Sequence, residues 1–182
     1  MEYSFNMFNK MAPTGIIMTL NGFLKEMTAP PVILCIGSDL AIGDSLGPVV
    51  GTMTQTDALN AGAFIYGTLK NPVTAKEIKY LGDFLKRTHP GSKIIAVDAA
   101  VGDAGDIGLI KISNKGLRPG LGANKKFDAI GDVSIMGIVA EKSVFNYSLL
   151  NLTRLSLVYK MAGIIAEALS SFVTSYAHAD AI

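Results

Sequence analysis

The chain has few of the residues that form disulfides and zinc sites. Its 182 residues include one cysteine, two histidines and no tryptophan. The lone Cys35 cannot form an internal disulfide, and the chain has too few cysteines and histidines for a four-ligand structural zinc site. Such cysteine usage fits a reducing compartment, so we predict a cytoplasmic protein.

Charged residues are also scarce, and neither sign dominates. They make up 17% of the chain with a net charge of +1, against about a quarter in typical domains. This balance gives no basic surface for nucleic acid. The apolar stretch at 155–166 contains Lys160 and falls short of the roughly 20 residues of a membrane span. The first apolar run, 15–20, lacks the charged start and cleavage site of a signal peptide. We therefore predict neither a nucleic-acid nor a membrane partner.

Apolar residues, by contrast, make up 49% of the chain. Strand-like and helix-like segments alternate, and the core strands lack alternating polar residues, as in a sheet covered on both faces. We predict an α/β fold, a three-layer α/β/α sandwich with a mostly parallel central sheet. The chain reads as one domain, 1–182, with an N-terminal helical extension at 1–29, an α/β core at 30–174 and a frayed tail at 175–182. Strands are predicted at 32–37, 63–67, 93–97, 107–112 and 133–139, and helices at 16–27, 45–59, 73–87 and 147–173.

Two aspartates follow apolar strands in this pattern. Asp44 lies where a glycine-rich turn leads from the first core strand into a helix, and Asp98 follows the strand at 93–97. The carboxyl ends of neighbouring parallel strands form one crevice, so we predict that Asp44 and Asp98 meet there. Two such acids suggest either acid–base chemistry on water or a metal site. As a pair that shares a proton, they are suited to activate water for hydrolysis. Taken singly, Asp44 could be a helix N-cap and Asp98 a strand-end turn former.

Other motifs at the same place lack essential parts. Residues 43–46 spell the Gly-Asp-Ser-Leu signature of a serine esterase family, but neither His89 nor His178 has an aspartate three positions before it to complete a triad. A phosphate-binding loop is excluded because Asp44 stands where its lysine should be. Asp39 and Asp132 are weaker site candidates that read better as solvated loop residues.

The segment 113–131 is glycine-rich, cationic and without periodicity. Loops of this length inside a compact domain are often functional. We predict that Asn124 and Lys125 approach the cleft. A solvated basic loop fits the composition equally well.

These blocks resemble a known family. Residues 37–48 resemble the first block of spore germination proteases, Val97-Asp98-Ala99 resembles their second acidic block, and 118–126 resembles their glycine-rich loop. With 66–72 and 131–135 included, the chain resembles the YyaC-type sporulation proteins. The resemblance implies a phosphorylase/hydrolase-like fold and an aspartic-type endopeptidase acting on a protein or peptide during sporulation, in the sporulating cell or forespore. Asp44 and Asp98 would be catalytic, and Asn71, Asn124 and Lys125 would bind substrate.

A wider resemblance is to the hydrogenase maturation endopeptidases, where the two acids bind metal together with a later histidine. This chain has no histidine between Asp98 and its final helix. We therefore predict no cofactor, and if a metal binds, Asp44 and Asp98 are its ligands. A catalytically silent binding or regulatory protein and a metal-dependent hydrolase remain as alternatives to the endopeptidase. The oligomeric state is left without a prediction.

Overall fold

The computed structural model describes residues 1–118, 129–142, 150 and 152–179. In this part of the chain, strands and helices alternate as in an α/β protein. Short 3₁₀ turns lie at Gly43–Ser45 and Ala104–Asp106. The strands are β1 (Glu2–Asn6), β2 (Val32–Cys35), β3 (Phe64–Tyr66), β4 (Ile94–Gly102), β5 (Leu109–Ser113) and β6 (Val133–Glu141). The helices are α1 (Ala12–Phe23), α2 (Leu46–Asn60), α3 (Ile78–Thr88) and α4 (Leu155–Ala179).

The strands form a mixed six-stranded sheet in the order β1-β5-β6-β4-β2-β3. β2 pairs in parallel with β3 and β4, and β4 pairs in parallel with β6. β5 is antiparallel to both of its neighbours, so among the described strands it alone runs in the opposite direction. The predicted parallel pairing of the strands that carry Cys35 and Val97 is confirmed, because these two residues lie opposite each other.

Helices cover both faces of the sheet. Ile33 and Cys35 of β2 belong to a core shared with α1, α2 and α4. The alternate residues Val32 and Leu34 belong to a second core, which includes residues of α3. Successive side chains of a strand point to opposite faces, so a strand buried on both sides is apolar throughout.

The last helix, α4, is apolar over 23 residues, Leu155–Ala177, which is long enough to cross a membrane by length and composition. Half of its most apolar window is buried inside the protein. Val158, Met161, Ile165 and Leu169 are fully buried and belong to the same core as α1 and α2. Packing inside the domain therefore accounts for the apolar face of α4.

Several boundaries differ from the sequence predictions. β1 lies in the stretch predicted to be a helical extension, because an exposed edge strand leaves no run of buried apolar residues to detect. α3 begins at Ile78 rather than at 73, since Val73 bridges to Ile36. β4 continues five residues beyond its predicted end at 97. α4 runs to Ala179, through the start of the predicted frayed tail.

Candidate functional site

Asp44 is held by tight backbone contacts between the turn at Gly43–Ser45 and the end of β2. Gly37 has a φ of +142°, and a Cβ on it would lie 2.0 Å from the Asp44 carbonyl oxygen. A Cβ on Gly47 would lie 2.1 Å from the Ile36 carbonyl oxygen. The Ser38 N–H donates to the Asp44 carbonyl oxygen at 3.1 Å. Glycine is thus required on both sides of Asp44 for the turn to reach this position.

Asp98 lies inside β4, one residue beyond the last pairing between β2 and β4. Its Oδ1 accepts a hydrogen bond of 2.8 Å from the Ala99 N–H. Asp98 pairs with Met136 of β6, so it is a strand residue and the reading as a turn former is wrong. Asp44 likewise is not the cap residue, because the N-cap positions of its turn and of α2 are Ile42 and Ser45.

The two carboxyls interact electrostatically. Burial raises the pKa of Asp98 well above its usual value, the charge of Asp44 raises it further, and the hydrogen bond from Ala99 opposes these effects. Asp98 nevertheless keeps partial solvent access. Burial also raises the pKa of Asp44, against a lowering by the backbone hydrogen bond from Ser38. Asp98 therefore holds its proton more tightly, and Asp44 is the member that ionises first.

Asn71 lies on the neighbouring loop, after β3. Its carbonyl oxygen accepts from the Thr68 N–H at 3.1 Å, and its own N–H donates to Thr68 Oγ1 at 3.2 Å. Two residues later, the Val73 carbonyl accepts from the Gly37 N–H at 2.9 Å, which ties this loop to the end of β2. The Asn71 residue itself is exposed. The other predicted substrate-binding residues, Asn124 and Lys125, lie outside the described residues.

The residues of the rejected motifs have structural partners. Ser45 is buried, and its Oγ donates to the Ile42 carbonyl oxygen at 2.7 Å. His89 lies at the end of α3, with Nε2 2.7 Å from the Tyr66 hydroxyl. Burial raises the pKa of the Cys35 thiol, which keeps it an unreactive core residue.

The two weaker aspartate candidates are both exposed. Asp132 forms an ion pair with Lys93 at 3.2 Å and accepts from the Ile94 N–H at 2.9 Å, at the beginning of β4. Asp98 lies further along the same strand. Asp39 is exposed on the loop that precedes Asp44. Asp132 is exposed, as predicted, and also has two partners at the beginning of β4.

Two structural features beside Asp44 were not predicted from the sequence. Leu40 is 91% exposed and Ile42 is 39% exposed, on the loop that leads to Asp44. A Cβ on Gly43 would meet Leu150 Cδ2 at 2.8 Å and Thr153 Oγ1 at 3.0 Å, so the chain before α4 packs against this turn. The apolar residues of an otherwise polar turn were a signal for the exposed Leu40 and Ile42. The packing of Leu150 and Thr153 on Gly43 joins residues over 100 positions apart, so it left no local signal in the sequence.

Among the described residues, no group of three or more His, Cys, Asp and Glu side chains could hold a metal ion. Asp44 and Asp98 provide two carboxylates. The hydrogenase maturation endopeptidases would imply a third ligand, a histidine. The described residues therefore do not fit that metal site.

Comparison with known proteins places the chain in a family. Residues 4–168 match a family model described as "Protein of unknown function (DUF1256)". The chain belongs to the DUF1256 family. This DUF1256 chain is 40% identical over 146 residues to the uncharacterized protein YyaC of Bacillus subtilis (strain 168), a match that covers 80% of the chain and 71% of YyaC. The similarity to YyaC-type proteins predicted from the sequence blocks is confirmed.

Proposed function

We propose that this DUF1256 protein is an endopeptidase in which Asp44 and Asp98 activate water for peptide-bond hydrolysis. The observation that carries the proposal is the coupling of two carboxyls from different elements, seen in the effect of the Asp44 charge on the pKa of Asp98. Strongly perturbed pKa values of carboxyls that keep solvent access are common among catalytic acids and bases. Asp44 follows the carboxyl end of β2, and Asp98 lies where β4 runs past that end. The carboxyl ends of parallel strands are where open α/β sheets bind ligands.

In this mechanism the two acids have different protonation states. Ionised Asp44 takes a proton from water as the water oxygen attacks the scissile carbonyl carbon. Protonated Asp98 donates its proton as the C–N bond breaks, so the amine leaves neutral. Asp44 is then protonated and Asp98 ionised, and transfer of this proton from Asp44 to Asp98 restores the starting state for the next turnover. The two groups titrate as a coupled pair rather than independently.

The same proposal includes the fold type, the cellular role and the residues that bind substrate. We propose that the fold is a three-layer sandwich of the phosphorylase/hydrolase-like type, which the helices on both sheet faces support. We also propose a sporulation-associated role in the cytoplasm of the sporulating cell or forespore, which rests on the resemblance to germination proteases. Asn71, Asn124 and Lys125 would hold the peptide substrate. The loop that carries Asn71 is tied to the end of β2 through Val73.

The test is incubation of the purified protein with spore-protein extract, followed by mass spectrometry of new peptide termini. Wild type should generate new termini, and Asp44→Asn and Asp98→Asn should each abolish them while remaining folded. Asp57→Asn is the matched control, because Asp57 is exposed on α2 away from the pair. It should cleave like wild type.

The other outcomes identify the alternatives. Cleavage by Asp44→Asn at the wild-type rate would remove the central residue of the mechanism. Extract left intact by wild type would instead support a binding or regulatory protein. Loss of wild-type cleavage on addition of chelator would indicate a metal-dependent hydrolase that uses the same two acids.

A further inference from the structure

β4 extends past β2, and none of the strands in residues 1–118, 129–142 and 152–179 pairs with this part of its edge. The last residues paired between these strands are Cys35 and Val97, and the Ile36 N–H donates to the Val97 carbonyl oxygen at 2.7 Å. β4 continues to Gly102, paired on its other side with β6. Among the described strands, none pairs with the β2 side of residues 98–102. These residues are partly exposed, whereas residues 94–97 are buried.

Two hydrogen bonds define which main-chain groups face the open edge. Val97 bonds towards β2, and the Gly102 carbonyl oxygen accepts from the Lys142 N–H at 2.7 Å on the β6 side. The pairing of β4 with β6 shifts register between Ala100 and Val101. Val97 nevertheless faces β2 and Gly102 faces β6, as alternation along β4 requires, so the odd-numbered residues between them face the open edge. These are Ala99 and Val101. The Ala99 N–H is already bonded to Asp98 Oδ1. Within the described part of the chain, the Ala99 carbonyl and both main-chain groups of Val101 then have no strand partner on this side.

The open edge begins at the two acids. Asp98 immediately precedes the outward-facing groups of Ala99. Ile36, bonded to Val97, leads directly into the loop that ends at Asp44. An extended peptide that pairs with residues 99–101 would therefore pass beside the carboxyl pair. Strand addition of this kind gives affinity through main-chain hydrogen bonds, whatever the side chains of the added strand.

We propose that the edge of β4 at residues 99–101 binds an extended polypeptide segment by strand addition, with Val101 as the main-chain anchor. Strand addition is how the proposed endopeptidase would bind its substrate. Only the cleavage of the bound peptide rests on the proposed function. Val101 donates and accepts through its backbone, while its side chain packs towards the core shared with α1, α2 and α4.

The first test is Val101→Pro, which removes the outward N–H. Ser4→Pro is the matched control on the opposite edge of the sheet. Bonds to Met1 and Met7 place the odd-numbered residues of β1 towards β5, so the exposed Ser4 has its N–H directed outward. Proline is tolerated at such outward-facing edge positions. Cleavage of spore-protein extract should fall about fivefold to tenfold in Val101→Pro, the effect of one main-chain hydrogen bond, and stay at the wild-type rate in Ser4→Pro.

The second test measures binding without catalysis. Asp44→Asn protein is mixed with a tryptic digest of spore-protein extract, and amide hydrogen exchange is followed at Val101 and Gly102. The Val101 amide should exchange several-fold more slowly with peptides present, whereas Gly102, which faces β6, should not change. This measurement decides the question even where Val101→Pro fails to fold.

The outcomes separate this inference from the proposed activity. Slowed exchange at Val101 without any cleavage by wild type would support the peptide edge and reject the endopeptidase. Unchanged exchange at Val101 would overturn the inference, and so would wild-type cleavage by folded Val101→Pro. Slow exchange at Val101 without peptide, together with a lower melting temperature of Val101→Pro, would show that the edge is filled by the chain's own residues or by a second copy, and would also overturn it.

Discussion

At Asp98, burial and a neighbouring carboxylate both favour the neutral acid. Its folded-state pKa lies well above the ordinary aspartate value. Between about 3.9, the pKa of aspartate in an unfolded chain, and this raised pKa, the folded protein binds more protons than the unfolded chain. The contribution of Asp98 to stability is therefore complete at acid pH and is lost as the pH rises through that window. The residue proposed to act as an acid is thus also a stability cost at neutral pH.

Asp98→Asn should remove this dependence. The asparagine has nearly the shape of the protonated acid, and its carbonyl oxygen can still accept from the Ala99 N–H. At neutral pH its melting temperature should exceed that of wild type by at least about 2 °C, the effect of roughly 1 kcal/mol in a chain of this size. The difference should shrink as the pH falls towards 4. Thermal melts of both proteins across this range are the measurement. A difference in melting temperature that is the same at every pH would contradict the assignment of a bound proton to Asp98.

Gly37 offers a second test at the scale of one residue. Gly37→Ala places a methyl group 2.0 Å from the Asp44 carbonyl oxygen, so the turn must move. We expect a loss of at least about 3 kcal/mol in the free energy of unfolding, because strain and a backbone clash add. Gly62→Ala is the control, with a φ of +73° and no atom within 4 Å of the added carbon. It should lose only about 1 kcal/mol in urea denaturation. Equal losses would mean that Gly37 matters only for its backbone angle.

At the scale of elements, glycines let α2 lie directly on strand backbone. Gly47 and Gly51 are one turn apart on the same helix face. A Cβ on Gly51 would lie 2.0 Å from the Gly67 carbonyl oxygen, and one on Gly67 would lie 1.8 Å from that of Cys35. The start of α2, and with it the turn that carries Asp44, is therefore fixed against the ends of β2 and β3.

Gly51→Ala should thus destabilise the protein, although alanine is the better helix former. Gly163 of α4 is the matched helical control, because a Cβ there meets nothing within 4 Å. Gly163→Ala should raise the free energy of unfolding by about 0.5–1 kcal/mol through helix propensity alone. Chemical denaturation of both variants measures the contrast. A gain in both would show that α2 can move away from the strands without cost.

How much the sequence reveals depends on whether the signal is local. β2, α2 and the first half of β4 were predicted closely, because buried strands and the helix between them have distinct apolar patterns. The rule that parallel strands share an edge was enough to predict the coupling of Asp44 and Asp98. The features that could not be predicted depend on contacts between residues far apart in the chain. β1 is exposed and has its partner at Leu109–Ser113, and the packing of Leu150 and Thr153 on Gly43 has no local pattern.

At the scale of the molecule, metal binding would couple the site to global stability. A metal held only by the folded protein raises the melting temperature by mass action. We expect neither cleavage activity nor melting temperature to change when wild type is treated with chelator, since Asp44 and Asp98 would act as a proton-sharing pair. Thermal melts and cleavage assays with and without chelator are the measurement. A chelator-dependent drop in both would favour the metal-dependent alternative.

The pairing of β1 with β5 also sets an order in time. Glu2 lies opposite Ser113, so the first strand of the chain has no partner until more than half of the protein has been made. Closing so long a loop costs entropy. Because β1 is mostly exposed, the surface it buries on pairing offsets little of this cost. β1 should therefore join after the rate-limiting step of folding. Phe5→Ala should accelerate unfolding in stopped-flow experiments and leave the refolding rate unchanged, whereas slower refolding would place β1 in the folding nucleus.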